Sequence, residues 1–174
     1  MNKMIIYSSK YGTTEKYAKE LGTKKKIPVY SNQEIPDTLL QTGEIIFIGA
    51  IYMGKISGFE KFAKKYNSLA SKLTVISVGM YNPKRESNYK DIEKSVKASL
   101  QKANFLLEDI FYLQGRLDLE QLRFKDKILV NALYKGSKKK STSELNENEM
   151  DIIEAYEANS ELDLSELDSI LEKI

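Results

Sequence analysis

Met4-Ile5-Ile6-Tyr7-Ser8-Ser9-Lys10-Tyr11-Gly12-Thr13-Thr14-Glu15 opens on four residues that are apolar on both faces and closes where a helical repeat begins. An uninterrupted apolar run of this length suits a strand covered on both sides, as in the middle of a parallel sheet. From Thr13 the spacing changes, with Tyr17, Ala18 and Leu21 recurring at helical intervals. The hydroxyl-rich segment between is therefore a strand-to-helix turn with one Gly. Such a turn offers an anion the free backbone N–H groups and the positive dipole end of the helix that follows. Ser9, Thr13 and Thr14 add hydroxyl donors. A ligand-free use is equally open, because Thr13 or Thr14 also suits an N-cap.

The rest of the chain repeats this alternation. Ile45-Ile46-Phe47-Ile48 and Leu73-Thr74-Val75-Ile76-Ser77-Val78 read as further buried strands, Asp109-Ile110-Phe111-Tyr112-Leu113 as another, and Ile27-Pro28-Val29-Tyr30 as an edge strand, where Pro is tolerated. Helical spacing returns over Phe59 to Leu69 (Phe59, Phe62, Ala63, Tyr66) and over Asp91 to Ala103 (Ile92, Val96, Leu100). Five strands with intervening helices predict a doubly wound α/β fold of order 2-1-3-4-5, with helices on both faces and a ligand site beyond the C-terminal strand ends. Leu122 to Lys135 reads as an amphipathic basic helix, Gly136 to Ser143 as a polar loop, and Glu166 to Leu171, capped by Ser165, as a closing helix.

Composition narrows the chemistry. At 174 residues, 41% apolar and 30% charged, the chain fits a single domain spanning 1–174, with a basic helical insertion or extension at about 116–143. Cys and His are absent, which excludes disulfides, thiolate nucleophiles, His-based acid–base catalysis and most zinc or haem ligation. Demanding chemistry must then come from a cofactor. No apolar run reaches the roughly 18 residues of a membrane span, and no signal-peptide pattern precedes the first strand, so a cytoplasmic protein is expected. The net charge of +2 hides a polarity. Up to residue 143 there are 26 Lys and Arg against 14 Asp and Glu, and from residue 144 on there is 1 against 11. A basic surface partly covered by the acidic tail is expected.

Two more loops fall at C-terminal strand ends: Gly49-Ala50-Ile51-Tyr52-Met53-Gly54-Lys55 and Val78-Gly79-Met80-Tyr81-Asn82-Pro83. With the first loop they resemble flavodoxins. Ser9, Gly12, Thr13 and Thr14 match the flavodoxin FMN phosphate loop, Ser/Thr-x-Thr-Gly-x-Thr, while Tyr11 replaces the inner Thr and Lys10 adds a charge usually lacking there. The resemblance implies a flavodoxin-like fold and FMN as cofactor. It places Ser9, Lys10, Tyr11, Gly12, Thr13 and Thr14 around the phosphate. Tyr52, Met53, Gly54 and Lys55 would cover the inner face of the isoalloxazine ring, with Met53-Gly54 as the turn whose Gly carbonyl meets the ring after reduction. Gly79, Met80 and Tyr81 would hold the pyrimidine edge, with Tyr81, in competition with Tyr52, stacking on the ring. Lys55 stands where an acidic residue often follows; pointing inward it would raise the reduction potential, and pointing outward it is a surface Lys. The resemblance assigns no catalytic residue and no metal.

Phe111 to Asp118, which includes Gln114-Gly115-Arg116-Leu117-Asp118, followed by the basic segment, also resembles the subgroup that includes bacterial menaquinone-dependent protoporphyrinogen oxidases. That group carries a His in its second loop; this chain has none. Three functions follow: an FMN electron carrier with a redox partner protein, a protoporphyrinogen- or quinone-linked oxidoreductase with a small-molecule redox substrate, or a flavin-free binding module. The basic helix suits peripheral contact with an acidic or membrane surface. Nucleic acid is not an expected partner, because the lysines near Lys139 lack interleaved aromatics.

Overall fold

The structure is a computed structural model that describes residues 3–36, 43–69, 71–82, 85–158 and 162–174. Pro83, the last residue of the third loop, lies outside them. Five parallel strands form the sheet: β1 (Lys3–Ser8), β2 (Val29–Ser31), β3 (Glu44–Tyr52), β5 (Lys72–Gly79) and β6 (Leu106–Gln114), in the order β2-β1-β3-β5-β6. The two-residue β4 (Lys55–Ile56) folds back antiparallel on the end of β3. Apart from β4, the order is the expected doubly wound one.

Alternation along the strands builds two cores. Met4, Ile6, Ile45, Phe47, Leu73 and Val75 face one side, covered by Phe59 and Phe62 of α2 (Phe59–Lys65) and by Ile92 and Val96 of α3 (Glu86–Leu100). Ile5, Ile46, Ile48, Ile76 and Val78 face the other, covered by Tyr17, Ala18 and Leu21 of α1 (Thr13–Lys25) and by Leu167 and Ile170 near the C-terminus. The buried Tyr17 hydroxyl lies 2.8 Å from the Gln114 carbonyl and 2.9 Å from that of Asp163, tying α1 to the end of β6 and to the C-terminal segment. Burial pushes its pKa far up, so it stays protonated.

Several boundaries differ from the sequence reading. α2 stops at Lys65 rather than Leu69, and α3 runs from Glu86 to Leu100 rather than from Asp91 to Ala103. Gly136, Ser137 and Lys138 are not loop but the last turn of α4 (Phe124–Lys138), where the Ser137 hydroxyl donates to the Leu133 carbonyl at 3.0 Å. A 3-10 turn, Thr142–Glu144, follows, with Ser141 and Glu144 capping each other reciprocally. The closing element is a 3-10 turn, Leu164–Leu167, running into α6 (Asp168–Leu171); its cap is Asp163, which accepts from Ser165 N–H, rather than Ser165.

The acidic stretch also holds a helix of its own, α5 (Glu147–Glu157). It packs on α4 through a Tyr134–Tyr156 ring stack at 3.8 Å and a hydrogen bond from the Tyr156 hydroxyl to Asn131 at 2.7 Å. Arg85 clamps it to the loop after β5. The guanidinium pairs with the buried Asp151, reaches Glu154 at 3.1 Å and donates to the Glu147 carbonyl at 2.9 Å. No helix among the described residues is long and apolar enough to cross a membrane.

Candidate functional site

β1, β3, β5 and β6 all end at one edge of the sheet, and the loops leaving them surround a cleft of about 240 Å3. It adjoins a second cleft of about 630 Å3, and the two share Ile51, Met53, Gly79 and Tyr81 as walls. Alone the first falls short of the roughly 300 Å3 lower limit of small-molecule sites; together they exceed it.

The β1 loop forms one end. Gly12 is the N-cap of α1 with φ +84°, a left-handed conformation that costs Gly little and other residues about 1–2 kcal/mol. Its N–H donates to Ser9 Oγ at 3.0 Å, which curls the loop. Thr13 and Thr14 are therefore the first helical residues, not caps, and α1 has no side-chain cap. Their N–H groups belong to the orphan donors of the first turn. Gly12 itself lies behind the cleft, while Ser9, Lys10, Tyr11, Thr13 and Thr14 line it.

Tyr52, Met53, Gly79, Met80 and Tyr81 line the cleft as well. Met53 and Gly54 form a two-residue hairpin turn between β3 and β4, both with positive φ (51° and 74°), as a type I′ turn requires. Gly54 lines only the second cleft, and Lys55 lines neither. Lys55 is exposed and sits 4.0 Å from Glu60, so it is a surface cation and does not reach the interior. Tyr81 lies between the two clefts, and burial, reinforced by the charge of Asp151, raises its pKa.

The fourth wall is one the sequence reading did not assign. Gly115, Arg116, Leu117 and Asp118 from the end of β6, together with Leu122, Asp126, Leu129, Val130 and Leu133 of the α4 segment, complete the lining. Asp126 is 8% exposed and ties α4 to the opposite loops. Its carboxylate pairs with Lys10 at 2.7 Å, accepts from the Tyr11 hydroxyl, and accepts from the Tyr52 hydroxyl at 2.7 Å. The Lys10 ammonium also lies 3.6 Å from the centre of the Tyr52 ring, a cation–π contact.

The charges respond accordingly. Hydrogen bonds from Lys10 first, then Tyr11 and Tyr52, hold the Asp126 carboxyl at about 2. Burial pushes the Lys10 ammonium down, but the Asp126 hydrogen bond and the neighbouring charges outweigh it and its pKa is raised. The extra charge on this loop is thus neutralised by the chain itself. With the Tyr52 ring engaged by Lys10, Tyr81 is the aromatic left for a planar ligand.

The profile of the Flavodoxin domain family matches residues 4–144. Among solved structures, a flavoprotein in complex with FMN from Lactobacillus acidophilus NCFM shares 9% identity over 64% of this chain and 92% of its own, with a TM-score of 0.53. The Trp repressor binding protein from Bacillus subtilis shares 15% identity over 74% of this chain and 94% of its own, with a TM-score of 0.51. At these identities the likeness shows the fold. No curated protein matches the sequence significantly.

Proposed function

The chain belongs to the Flavodoxin domain family, and from that premise we propose that it binds FMN non-covalently in the cleft and carries electrons with it. The observation that supports this most is the convergence of the β1, β3 and β5 loops on one cleft that begins at an uncapped helix N-terminus.

The residues present fit such a group. The Thr13 and Thr14 amides, the Thr13 hydroxyl and the dipole of the 13-residue α1 suit a phosphate. Ser9 acts indirectly, holding the Gly12 amide and so the curl of the loop. Met53 on one side and Gly79, Met80 and Tyr81 on the other suit a flat ring, and Ile51, Val78 and Ala50 line its inner end. The distant relative crystallised with FMN supports the choice of cofactor. FMN bound there would supply reversible electron transfer in one- or two-electron steps.

Flavin fluorescence quenching with FMN, FAD and riboflavin tests the reading. FMN should bind far more tightly than the other two, because most of its affinity comes from the phosphate. Equal affinities would overturn the phosphate-loop assignment.

A second reading, a protoporphyrinogen- or quinone-linked oxidoreductase, is favoured by one feature: Leu122, Leu129, Val130 and Leu133 give the cleft an apolar wall with Arg116 near it. That wall suits an apolar substrate carrying an acidic group. Anaerobic reductive titration of the FMN-loaded protein separates the two readings. Two well-separated one-electron steps support a carrier, and a single two-electron step supports the oxidoreductase.

A further inference from the structure

The outer face of α4 has no partner among the described residues. Asp126, Val130 and Ser137 turn inward, and Asn131, Tyr134 and Lys138 meet α5. On the remaining side, Phe124 is 78% exposed and Ile128 53%. At 3.6 residues per turn, Phe124, Ile128, Lys135 and Lys139 fall within about 60° of one another, and Ala132, Lys125 and Leu129 continue the stripe, all exposed.

The described part of the acidic tail leaves this stripe open. Its carboxylates are engaged along the flank and beyond it: Glu157 with Lys138 at 2.9 Å, Glu149 with Lys140 at 2.5 Å, Glu144 with Ser141, and Glu147 with Ser87. Lys125, Lys127, Lys135 and Lys139 make no ion pair with any described residue. Among the described residues the tail thus covers one flank of the basic helix and not its outward face.

We infer that this face of α4 docks on the surface of an anionic lipid bilayer. Large apolar side chains interleaved with unpaired lysines on one convex ridge match a headgroup region: Phe124 and Ile128 enter the acyl boundary, while the lysine stems lie along it and their ammonium groups reach the lipid phosphates. A second copy of the chain suits the face poorly, because a two-fold contact would set this lysine-bearing stripe against its own copy. A protein partner would need a groove to receive the ridge. Leu129, at the edge of the stripe, also lines the cleft, so the docked face borders the cleft on one side. The docking itself does not depend on FMN and stands or falls apart from the flavin reading.

Flotation of the full chain, without added FMN, on vesicles of phosphatidylcholine alone and of phosphatidylcholine mixed with phosphatidylglycerol tests this. Binding should be confined to the anionic vesicles and fade as salt rises towards physiological strength, where the Debye length is about 8 Å. Phe124→Ala with Ile128→Ala should weaken it at least tenfold. Neutralising Lys125, Lys135 and Lys139 to Gln should weaken it about a hundredfold, at about fivefold per lysine. The same charge removed elsewhere, by Lys61→Gln, Lys65→Gln and Lys94→Gln on α2 and α3, should change it less than twofold; an equal loss there would overturn the assignment to α4. Equal binding to neutral vesicles, or none to anionic ones, would overturn it too. So would a parent protein that sediments as a dimer while the Phe124→Ala, Ile128→Ala variant sediments as a monomer.

Discussion

The sheet and the α4–α5 hairpin meet at the cleft, yet they are held together by different forces. The sheet carries a continuous apolar layer on each face, and on one of them rings from β3, α2 and the β6 approach cluster: Phe62 lies 5.0 Å from Phe47, 6.4 Å from Phe59 and 5.4 Å from Phe105. Only Asp126, Val130 and Ser137 of α4 are buried, and besides Val130 and Ile152 the hairpin is held by one tyrosine stack, ion pairs and the Asp126 contacts. Apolar burial neither titrates nor is screened by salt, whereas charged contacts both titrate and are screened. One side of the cleft is therefore set by apolar packing, and the attachment of the other rests largely on charged contacts that should respond to solution conditions.

The largest effect that can break this contrast is a hole in the apolar packing. Phe62→Ala should cost about 3–5 kcal/mol in urea denaturation and lower protection from hydrogen exchange throughout the sheet. Tyr156→Ala removes the Tyr134 stack, a contact of about 0.5–1.5 kcal/mol beyond its area, and should speed exchange in α4 and α5 while the sheet amides keep their protection. Equal loss of sheet protection in the two variants would show that hairpin and sheet unfold as one unit.

Asp126 sharpens the comparison. Asp126→Asn keeps the size of the side chain and removes its charge, so α4 should open more readily by about 1–2 kcal/mol in hydrogen exchange. Lys10 is released at the same time, so FMN should bind severalfold more tightly at low salt; unchanged affinity would place Lys10 away from the phosphate. Acid should do the same to the parent. The folded-state pKa of Asp126, about 2, lies below the ordinary 3.8. Its stabilising contribution is therefore complete above about pH 5 and is lost as the pH falls from about 4 through 2. Exchange in α4 should accelerate across that window before the sheet yields.

The same contrast governs what the sequence discloses. The central strands are legible because they are covered on both faces, and ten of the thirteen site residues read from the loops line the cleft, since doubly wound topology brings strand ends together. α5 was hidden because Ile152 and Tyr156 are scattered among carboxylates that read as a solvated tail. The local signal was Asn146-x-x-Glu149, which forms a capping box in the structure. Asp126 has no comparable signal. A lone Asp in a lysine-rich stretch says nothing of a Tyr11 partner 115 residues away, and only the folded hairpin brings them together. Arg116 stands in the Gln114-to-Asp118 stretch and reaches the cleft for the same tertiary reason.

The smallest effect concerns the turn where the sheet reaches the cleft. Met53 is left-handed at φ 51° and 78% exposed, beside Gly54 at φ 74°. A type I′ turn favours Asn-Gly, because Asn tolerates positive φ and Met does not. Nothing lies within 4 Å of where a Cβ on Gly54 would be, so Gly54→Ala is strained only by its φ and should cost about 1 kcal/mol. Met53→Asn should move stability the other way, by less than about 1 kcal/mol, since no buried contact of a side chain this exposed is lost. Local strain that persists where packing does not demand it points to use, and Met53 lines both clefts. The Asn variant should therefore be slightly more stable in urea and bind FMN more weakly than the parent. A variant that is more stable and binds equally well would show that the left-handed Met serves the hairpin alone.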